Sequence, residues 1–431
     1  MSETNQSATT DGGRDKIAEL EKRIEVLEKL LRSQSSENGG AAGQSLEAPS
    51  AKLTPDPEQI PMAATRVVMH EVVLAAHTDE TGVSFGGQVL SWIDICAGLA
   101  AKNAARAACV TASLDAVHFV RPCRAGCVAI ICAMVNRAFS TSMEVGVRVE
   151  AEDMKTGVRE HCCSAYLTFV SLKAKGPSGA KLPRVVPKSD EEFRIHREAN
   201  VRRQARLEKR QLLKSDQELA TREALARLQP IHQEGGPTLP PAIRADDIED
   251  SKAKQVAPRL TTAHMTQLIM PQHANSIGIT FGGQVLSWME QCVAISASRL
   301  RRGHMLTASI DTMTFAKPTK VGHVLFISSQ VTAVFGTSME VMVTVYGEDP
   351  WVGETFHCAD AFATVVCVDA GGKPAQIPCE VVPETDAEKI RHEGAAGRRE
   401  VRLEARRAIL ADLPRKKSLD GHVWGEREFG S

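Results

Sequence analysis

The feature that most constrains the fold is an internal duplication. The octapeptide FGGQVLSW occurs at residues 85–92 and again, letter for letter, at residues 281–288. A constant offset of 196 residues, without a gap, aligns residues 64–213 with residues 260–409. The repeated unit is far longer than the roughly 20–50 residues of a solenoid repeat, and each copy is long enough for its own core. We therefore expect two related domains in this chain of 431 residues.

Within each copy, one helical pattern is followed by several strand patterns. A helix is predicted over residues 86–107, where apolar residues recur at helical spacing after a Gly-Gly pair. Period-two alternation over residues 142–151 predicts a half-buried strand, and apolar runs at 128–135 and 165–172 predict further strands in hairpin order. One helix followed by an antiparallel sheet describes an α+β unit.

The segments outside the repeats have a different character. A short N-terminal coiled-coil-like helix is predicted over residues 14–32, with a marginal, partly formed helix as the alternative. Residues 33–60 are Ser/Gly-rich and are expected to be flexible. The predicted organisation is an N-terminal extension (1–63), a first domain (64–189), an exposed charged helical segment (190–229), a linker (230–259), a second domain (260–385) and a charged helix and tail (386–431).

Composition and the N-terminus narrow the classes of partner and compartment. The 52 basic and 53 acidic residues nearly balance, so we expect no nucleic-acid partner. No apolar run reaches the ~20 residues of a membrane span, and the polar N-terminus lacks the plan of a signal or transit peptide. Eleven cysteines without zinc-site spacing predict free thiols and no metal. These patterns favour the cytoplasm over the mitochondrion.

The loop and helix around each octapeptide carry the candidate chemistry. Copy one reads HTDETGVSFGGQVLSWID and copy two reads HANSIGITFGGQVLSWME. A helix that opens at Gly-Gly presents unpaired N–H groups, which can bind a developing oxyanion. Asp94 lies two turns, or ~10 Å, beyond Gly87 and cannot reach the start of its own helix. It could reach the start of an antiparallel neighbour, and the second copy supplies such a neighbour.

Two mixed sites follow from that pairing. Site one takes its loop and helix start from copy two and its acid from copy one: Asn275, Gly283 and Asp94. Site two is the reverse combination: Asp79, Gly87 and Glu290. Two carboxylates in site two are expected to repel, raising one pKa and disfavouring an anionic transition state. We therefore predict that site one is active and site two is weakened or inactive. The alternative is that Asp94 and Glu290 are merely exposed helix residues.

With these motifs in order, the chain resembles a known family. The pattern H-x-N-x-x-G-x-x-F-G-G-Q-V-L-x-W-M-E, followed by TASIDxxxF and GTSMEV, is similar to the hotdog acyl-CoA thioesterases. The duplication resembles the double-hotdog acyl-coenzyme A thioesterases of the acetyl-CoA hydrolase type, without the lipid-transfer domain of some members. The resemblance implies tandem hotdog domains, each a long central helix wrapped by an antiparallel β-sheet, in a homo-oligomer of three or more chains.

The resemblance also implies an activity and its residues. Acyl-CoA would be hydrolysed to a carboxylic acid and coenzyme A without a cofactor. Asp94 would act as general base, Asn275 would position the reacting groups, and the Gly283 N–H would stabilise the oxyanion. Coenzyme A contacts are implied for Ala112, Ser113, Leu114, Thr141, Ser142, Met143, Arg203, Phe315, Ala316 and Lys317. Simple sheet packing is the alternative for Ala112, Leu114 and Met143.

Two other functions stay open at this point. One is a catalytically silent module that binds or senses acyl-CoA. The other is a hotdog dehydratase, which ranks last because that chemistry needs a histidine paired with an acid. Asp115 and Asp311 are interpreted as structural acids bonded to the backbone, and His77 and His273 as hydrogen-bonding loop residues.

Overall fold

The computed structural model describes residues 59–172, 181–227, 254–301, 303–369 and 371–412. The predicted N-terminal helix and most of the predicted linker lie outside these residues. The described residues belong to one compact unit, in which the buried apolar side chains of both repeats form a common core. None of the helices in this part of the chain is long and apolar enough to cross a membrane.

The helices of the two repeats correspond in pairs. They are α1 (Gly86–Ala105), α2 (Asp190–Arg227), α3 (Gly282–Ser298) and α4 (Asp386–Asp412). Helices α1 and α3 are largely apolar and lie in the core. Helices α2 and α4 are rich in charge, and each begins with a reciprocal capping pair that satisfies backbone N–H groups. The pairs are Ser189 with Glu192 and Thr385 with Glu388.

The strands also repeat. In chain order, β1 to β8 are Gln59–Pro61, Val67–Val72, Cys109–Leu114, Val117–His118, Cys127–Ala138, Ser142–Asp153, Arg159–Ser171 and Arg184–Val186. In the second repeat, β9 to β16 are Lys254–Val256, Ala263–Leu268, His304–Ile310, Met313–Thr314, Val324–Phe335, Ser338–Asp349, Glu354–Val368 and Cys379–Val381. Short 3₁₀ turns at Ala75–His77 and Pro271–His273 lead into the two loops of interest.

Two six-stranded antiparallel sheets wrap the central helices. The first has the order β12-β3-β7-β6-β5-β2 and the second β10-β13-β14-β15-β11-β4. Each sheet takes one short strand, β12 or β4, from the opposite repeat. The predicted tandem hotdog fold is confirmed, and the exchanged strands join the repeats where their loops meet.

Each repeat also contains one pair of short parallel strands. Strand β1 pairs with β8, and β9 pairs with β16. Strands β1 and β9 lie before residues 64 and 260, and the predicted domain boundaries stay a prediction.

The central helices approach each other at their glycines. A Cβ on Gly283 would lie 2.6 Å from the Cα of Ser91, and a Cβ on Gly87 would lie 2.6 Å from the Cα of Ser287. The pairing of 87 with 287 and of 91 with 283 makes the helices antiparallel. Only glycine permits this close approach. The second glycine of each octapeptide therefore brings the start of one helix against the acid of the other.

The charged helix α2 is held to the first sheet by buried ion pairs. Arg202 and Arg206 each place a guanidinium nitrogen 2.7 Å from the fully buried carboxylate of Glu144, and Arg206 also binds Asp115 at 2.7 Å. The second repeat has the same arrangement, with Arg398, Arg402, Glu340 and Asp311. The prediction that Asp115 and Asp311 bond to the backbone is wrong, because the carboxylates bond to arginines: Asp115 through one oxygen to Arg206 and Asp311 through both to Arg402. The predicted helix is present, but one of its faces is buried against the sheet.

Candidate active site

Two cavities lie where the start of one central helix meets the acid of the other. The cavity of site one has a volume of about 360 Å³ and is lined by Asp94, Asn275 and Gly282, among others. The cavity of site two has a volume of about 470 Å³ and is lined by Asp79, Gly86 and Glu290, among others. Each cavity therefore combines the loop of one repeat with the helix acid of the other, as the helix spacing predicts.

In site one, Asp94 is buried and bonded through both oxygens. Its Oδ2 accepts the backbone N–H of Gly283 at 3.0 Å, and its Oδ1 accepts the hydroxyl of Thr111 at 2.7 Å. Only 2% of Asp94 is exposed, so the alternative of an exposed helix residue is wrong. Burial raises the pKa of Asp94, and the hydrogen bonds from Gly283 and Thr111 offset part of that rise. Each oxygen keeps a lone pair that can accept a proton.

The two glycines at the start of α3 play different parts. The N–H of Gly283 points at Asp94, and Gly283 does not line the cavity. Gly282 lines the cavity, and its N–H approaches Asp94 more weakly than that of Gly283. The prediction that Gly283 supplies an oxyanion donor stays a prediction, and in this structure its N–H donates to Asp94.

Asn275 is held by its own loop. Its Oδ1 accepts the backbone N–H groups of Ile277 and Ile279, each at 3.1 Å. Two N–H donors require the oxygen on that side, so the NH₂ group is left toward the cavity. His273 stabilises the start of this loop. Its Nδ1 accepts the N–H of Met270, and its ring packs edge-on against Trp288. His77 does the same for Leu74 and Trp92, so the prediction for both histidines is confirmed.

Site two differs from site one by one methylene in its acid. Glu290 reaches both glycine N–H groups, with Gly86 at 2.8 Å and Gly87 at 2.6 Å, and also accepts the hydroxyl of Thr307 at 2.5 Å. Burial raises the pKa of Glu290, and the bonds from Thr307, Gly87 and Gly86 lower it. The carboxylate thus engages the N–H groups of both glycines at the helix start.

Asp79 does not contribute to the raised pKa of Glu290. Its Oδ1 is turned into its own loop, where it accepts the N–H and hydroxyl of Thr81 and the N–H of Val83. The prediction that repulsion between Asp79 and Glu290 raises a pKa in site two is therefore wrong. Burial is the cause, and site two is distinguished by its occupied donors.

The two threonines that bind the acids were missed by the sequence reasoning. Thr111 and Thr307 lie at equivalent positions of β3 and β11, and a register shift follows each of them. Such a bulge re-aims a side chain locally. The signal was present in the repeated TAS motif at 111–113 and 307–309.

The predicted coenzyme A contacts have mixed positions. Phe315 and Lys317 line the cavity of site one, and Lys317 also binds Glu354 at 2.8 Å. Leu114 and Met143 are 0% exposed, so their side chains belong to sheet packing. The remaining predicted contacts lie outside the cavity lining: Ala112, Ser113, Thr141, Ser142, Arg203 and Ala316. Arg203 stacks on Phe139 at 4.0 Å.

An apolar trough leads away from Asp94 along α1. Ile95, Gly98 and Leu99 line it on the helix, and Lys102 stands at its far end. Eight residues of helix separate Asp94 from Lys102, a length of about 12 Å. Cys109, Val110 and Phe169 supply its sheet side. The acid of site one therefore stands beside an apolar part of the cavity lining.

Comparison with known proteins places this chain in a family. Residues 81–158 and 277–353, one segment in each repeat, match the family model of the thioesterase superfamily. The acetyl-coenzyme A thioesterase of Rattus norvegicus is 34% identical over 86% of this chain and 62% of its own length. The chain thus spans less than two thirds of that relative.

A smaller bacterial relative is matched over most of its length. An uncharacterised acyl-CoA thioester hydrolase of Bacillus subtilis (strain 168) is 37% identical over 33% of this chain and 82% of its own length. Among solved structures, the acyl-CoA hydrolase of Staphylococcus aureus with butyryl coenzyme A and coenzyme A is 32% identical, with a TM-score of 0.35, over 39% of this chain and 99% of its own. On the family model and the bacterial relative, the chain belongs to the thioesterase superfamily, with one matched segment in each of its two repeats.

Proposed function

We propose that the protein hydrolyses acyl-CoA to a carboxylic acid and coenzyme A at site one. The observation that carries the proposal is a buried carboxylate, Asp94, which lines one cavity together with Gly282 at the start of α3 and with Asn275. These groups supply a base, an oxyanion donor and a positioning donor around one cavity. The names of the relatives, which are acyl-CoA thioesterases and thioester hydrolases, support the same reaction.

The chemistry follows from the free positions on these groups. Water attacks the thioester carbonyl carbon while Asp94 accepts one of its protons. The carbonyl oxygen becomes an oxyanion, which the N–H of Gly282 stabilises with help from the positive end of α3. Asn275 donates its NH₂ group to the water or to the carbonyl. The C–S bond then breaks, and a thiolate leaves without strong protonation because it is a good leaving group.

The trough along α1 accounts for the acyl part of the substrate. Its walls at Ile95, Leu99 and Val110 are apolar, and burying a chain there removes hydrocarbon from water. The lining residues of α1 from Asp94 to Lys102 extend over about 12 Å of helix, which suits a chain of medium length. The cavity lining in the described residues contains no histidine, so the dehydratase alternative gains no support.

A panel of acyl-CoA esters from acetyl to palmitoyl tests the proposal directly. Free-thiol release by the purified protein should be highest for medium chains and should fall as the pH drops through the raised pKa of Asp94. Coenzyme A binding without any thiol release across the panel would instead establish the silent binding module.

We also propose the cytoplasm and a homo-oligomer of three or more chains. All eleven cysteines are free thiols, which suits a reducing compartment. Trp351 and Val352 are 91% and 73% exposed on one hairpin tip, an apolar pair that suits burial against another chain. Light scattering on the wild type and on a Trp351→Lys variant tests this, with a smaller particle expected for the variant.

A further inference from the structure

The cavity of site two keeps the shape of a coenzyme site. It is larger than that of site one, at about 470 Å³ against about 360 Å³. Its lining includes Thr337, Ser338 and Arg399, which are the repeat equivalents of the predicted contacts at 141, 142 and 203. It also includes residues 119–121, the equivalents of 315–317. The cavity of site two is therefore lined by the repeat equivalents of two groups of predicted coenzyme A contacts.

One wall of this cavity carries uncompensated positive charge. Arg399, Arg402 and Arg406 lie on one face of α4 at spacings of three and four residues. Asp311 and Glu340 neutralise Arg402. Within the described residues, Arg399 and Arg406 have no carboxylate partner. Arg399 stacks on the ring of Phe335, and Arg406 donates to the carbonyl oxygen of Phe119.

The opposite side of the cavity adds to this charge. Arg121 lines it and makes only a 3.8 Å contact with the exposed Glu160. The acids of the cavity accept hydrogen bonds from the protein: Glu290 from the helix start and Asp79 from its own loop. Guanidinium groups bind phosphate oxygens through paired N–H donors. The arginines of this cavity therefore suit a ligand with several phosphate groups.

The same cavity lacks two features of site one. Glu290 accepts the N–H groups of both Gly86 and Gly87, which leaves neither of them free for an oxyanion. The positions equivalent to Ile95, Gly98 and Cys109 hold Gln291, Ala294 and Met305. A polar residue and two larger side chains thus stand at the positions that form the trough in site one.

We propose that site two is a binding site for free coenzyme A, which it holds by its phosphate groups without chemistry. The proposal rests on the proposed function, since the product of site one is the ligand of site two. The chain would then bind two molecules of coenzyme A, one at each site, and only site one would turn over.

Equilibrium titration calorimetry with free coenzyme A tests the stoichiometry. The wild type should bind two molecules per chain, and an Arg399→Glu/Arg406→Glu variant should bind one. Arg407→Glu is the matched control, because Arg407 lies on the same helix but outside the cavity lining, and it should still bind two. A wild type that binds one molecule, or a double variant that binds two, overturns the proposal.

Two further measurements distinguish a loss of binding from a loss of folding in the double variant. Arg399→Glu alone changes an exposed side chain and should weaken one of the two sites about tenfold while the thermal transition stays in place. Pantetheine, which lacks phosphate, should fail to displace coenzyme A from site two, and displacement would overturn the role of the arginines. These binding measurements need no turnover, so they stand even if hydrolysis at site one is refuted.

Discussion

Sites one and two share the same pairing of a helix start with an acid, and they differ in the length of that acid. In site one, the short Asp94 makes its shorter contact with the N–H of Gly283 and a weaker one with that of Gly282. In site two, the longer Glu290 reaches both equivalent N–H groups. One methylene thus decides how closely the acid engages both N–H groups of the helix start, and in the proposed scheme this separates the two sites. Duplication preserved the framework, and the chemistry depends on which donors remain free.

Removing the two acids should separate the sites most strongly. We expect Asp94→Ala to lower turnover by about 10²–10⁴, because a positioned general base contributes on that scale. Glu290→Ala should cause a much smaller fall, since its carboxylate serves no reaction in the proposed scheme. Free-thiol release measures both, and thermal unfolding of each variant is the control. Equal losses in the two variants would contradict the assignment of catalysis to site one.

The trough gives a second and smaller contrast. A Cβ on Gly98 would lie 3.7 Å from Phe169, which is an ordinary contact, so a small side chain fits and a large one fills the channel. Gly98→Leu should lower kcat/KM for medium and long chains by about 10- to 100-fold and spare acetyl-CoA. Ala294→Leu at the equivalent position of α3 is the matched control and should leave the chain-length profile unchanged. If Gly98→Leu affects all chain lengths equally, the acyl chain does not lie along α1.

The cross-repeat pairing could be predicted because it depends only on helix geometry. Asp94 lies two turns from the start of its own helix, so an antiparallel neighbour is the one helix start within its reach. The constant offset of the duplication then fixed which loop faces which acid. The structure agrees, since Asp94 binds Gly283 and Glu290 binds Gly87.

The direction of individual hydrogen bonds could not be predicted in the same way. Whether Gly282 or Gly283 faces the cavity depends on the rotation of α3 about its axis, which spacing along the chain does not determine. Similarly, Asp115 and its partner Arg206 lie 91 residues apart. Such a long-range pair leaves no local pattern, so the acid was assigned to the backbone.

The smallest expected effect is a change in protein stability when Asp94 or Glu290 is replaced by its amide. At site one, the amide of Asp94→Asn can keep its oxygen toward the Gly283 N–H, and the Thr111 hydroxyl can rotate to accept from the NH₂ group. At site two, each oxygen of Glu290 accepts a backbone N–H. In Glu290→Gln, the NH₂ group would therefore face a backbone donor that cannot rotate away.

We expect Asp94→Asn to stabilise the protein by about 0.5–2 kcal/mol at neutral pH, at the cost of activity. Burial raises the pKa of Asp94, so its stabilising contribution is complete below the ordinary value of about 3.9 and is lost as the pH rises through the folded-state pKa. The advantage of Asn should accordingly grow from acidic to neutral pH. Glu290→Gln should destabilise instead, by about 1–3 kcal/mol, because a buried donor loses its acceptor. Thermal unfolding at several pH values measures both variants, and a stabilised Glu290→Gln would show that Glu290 does not bind both helix N–H groups.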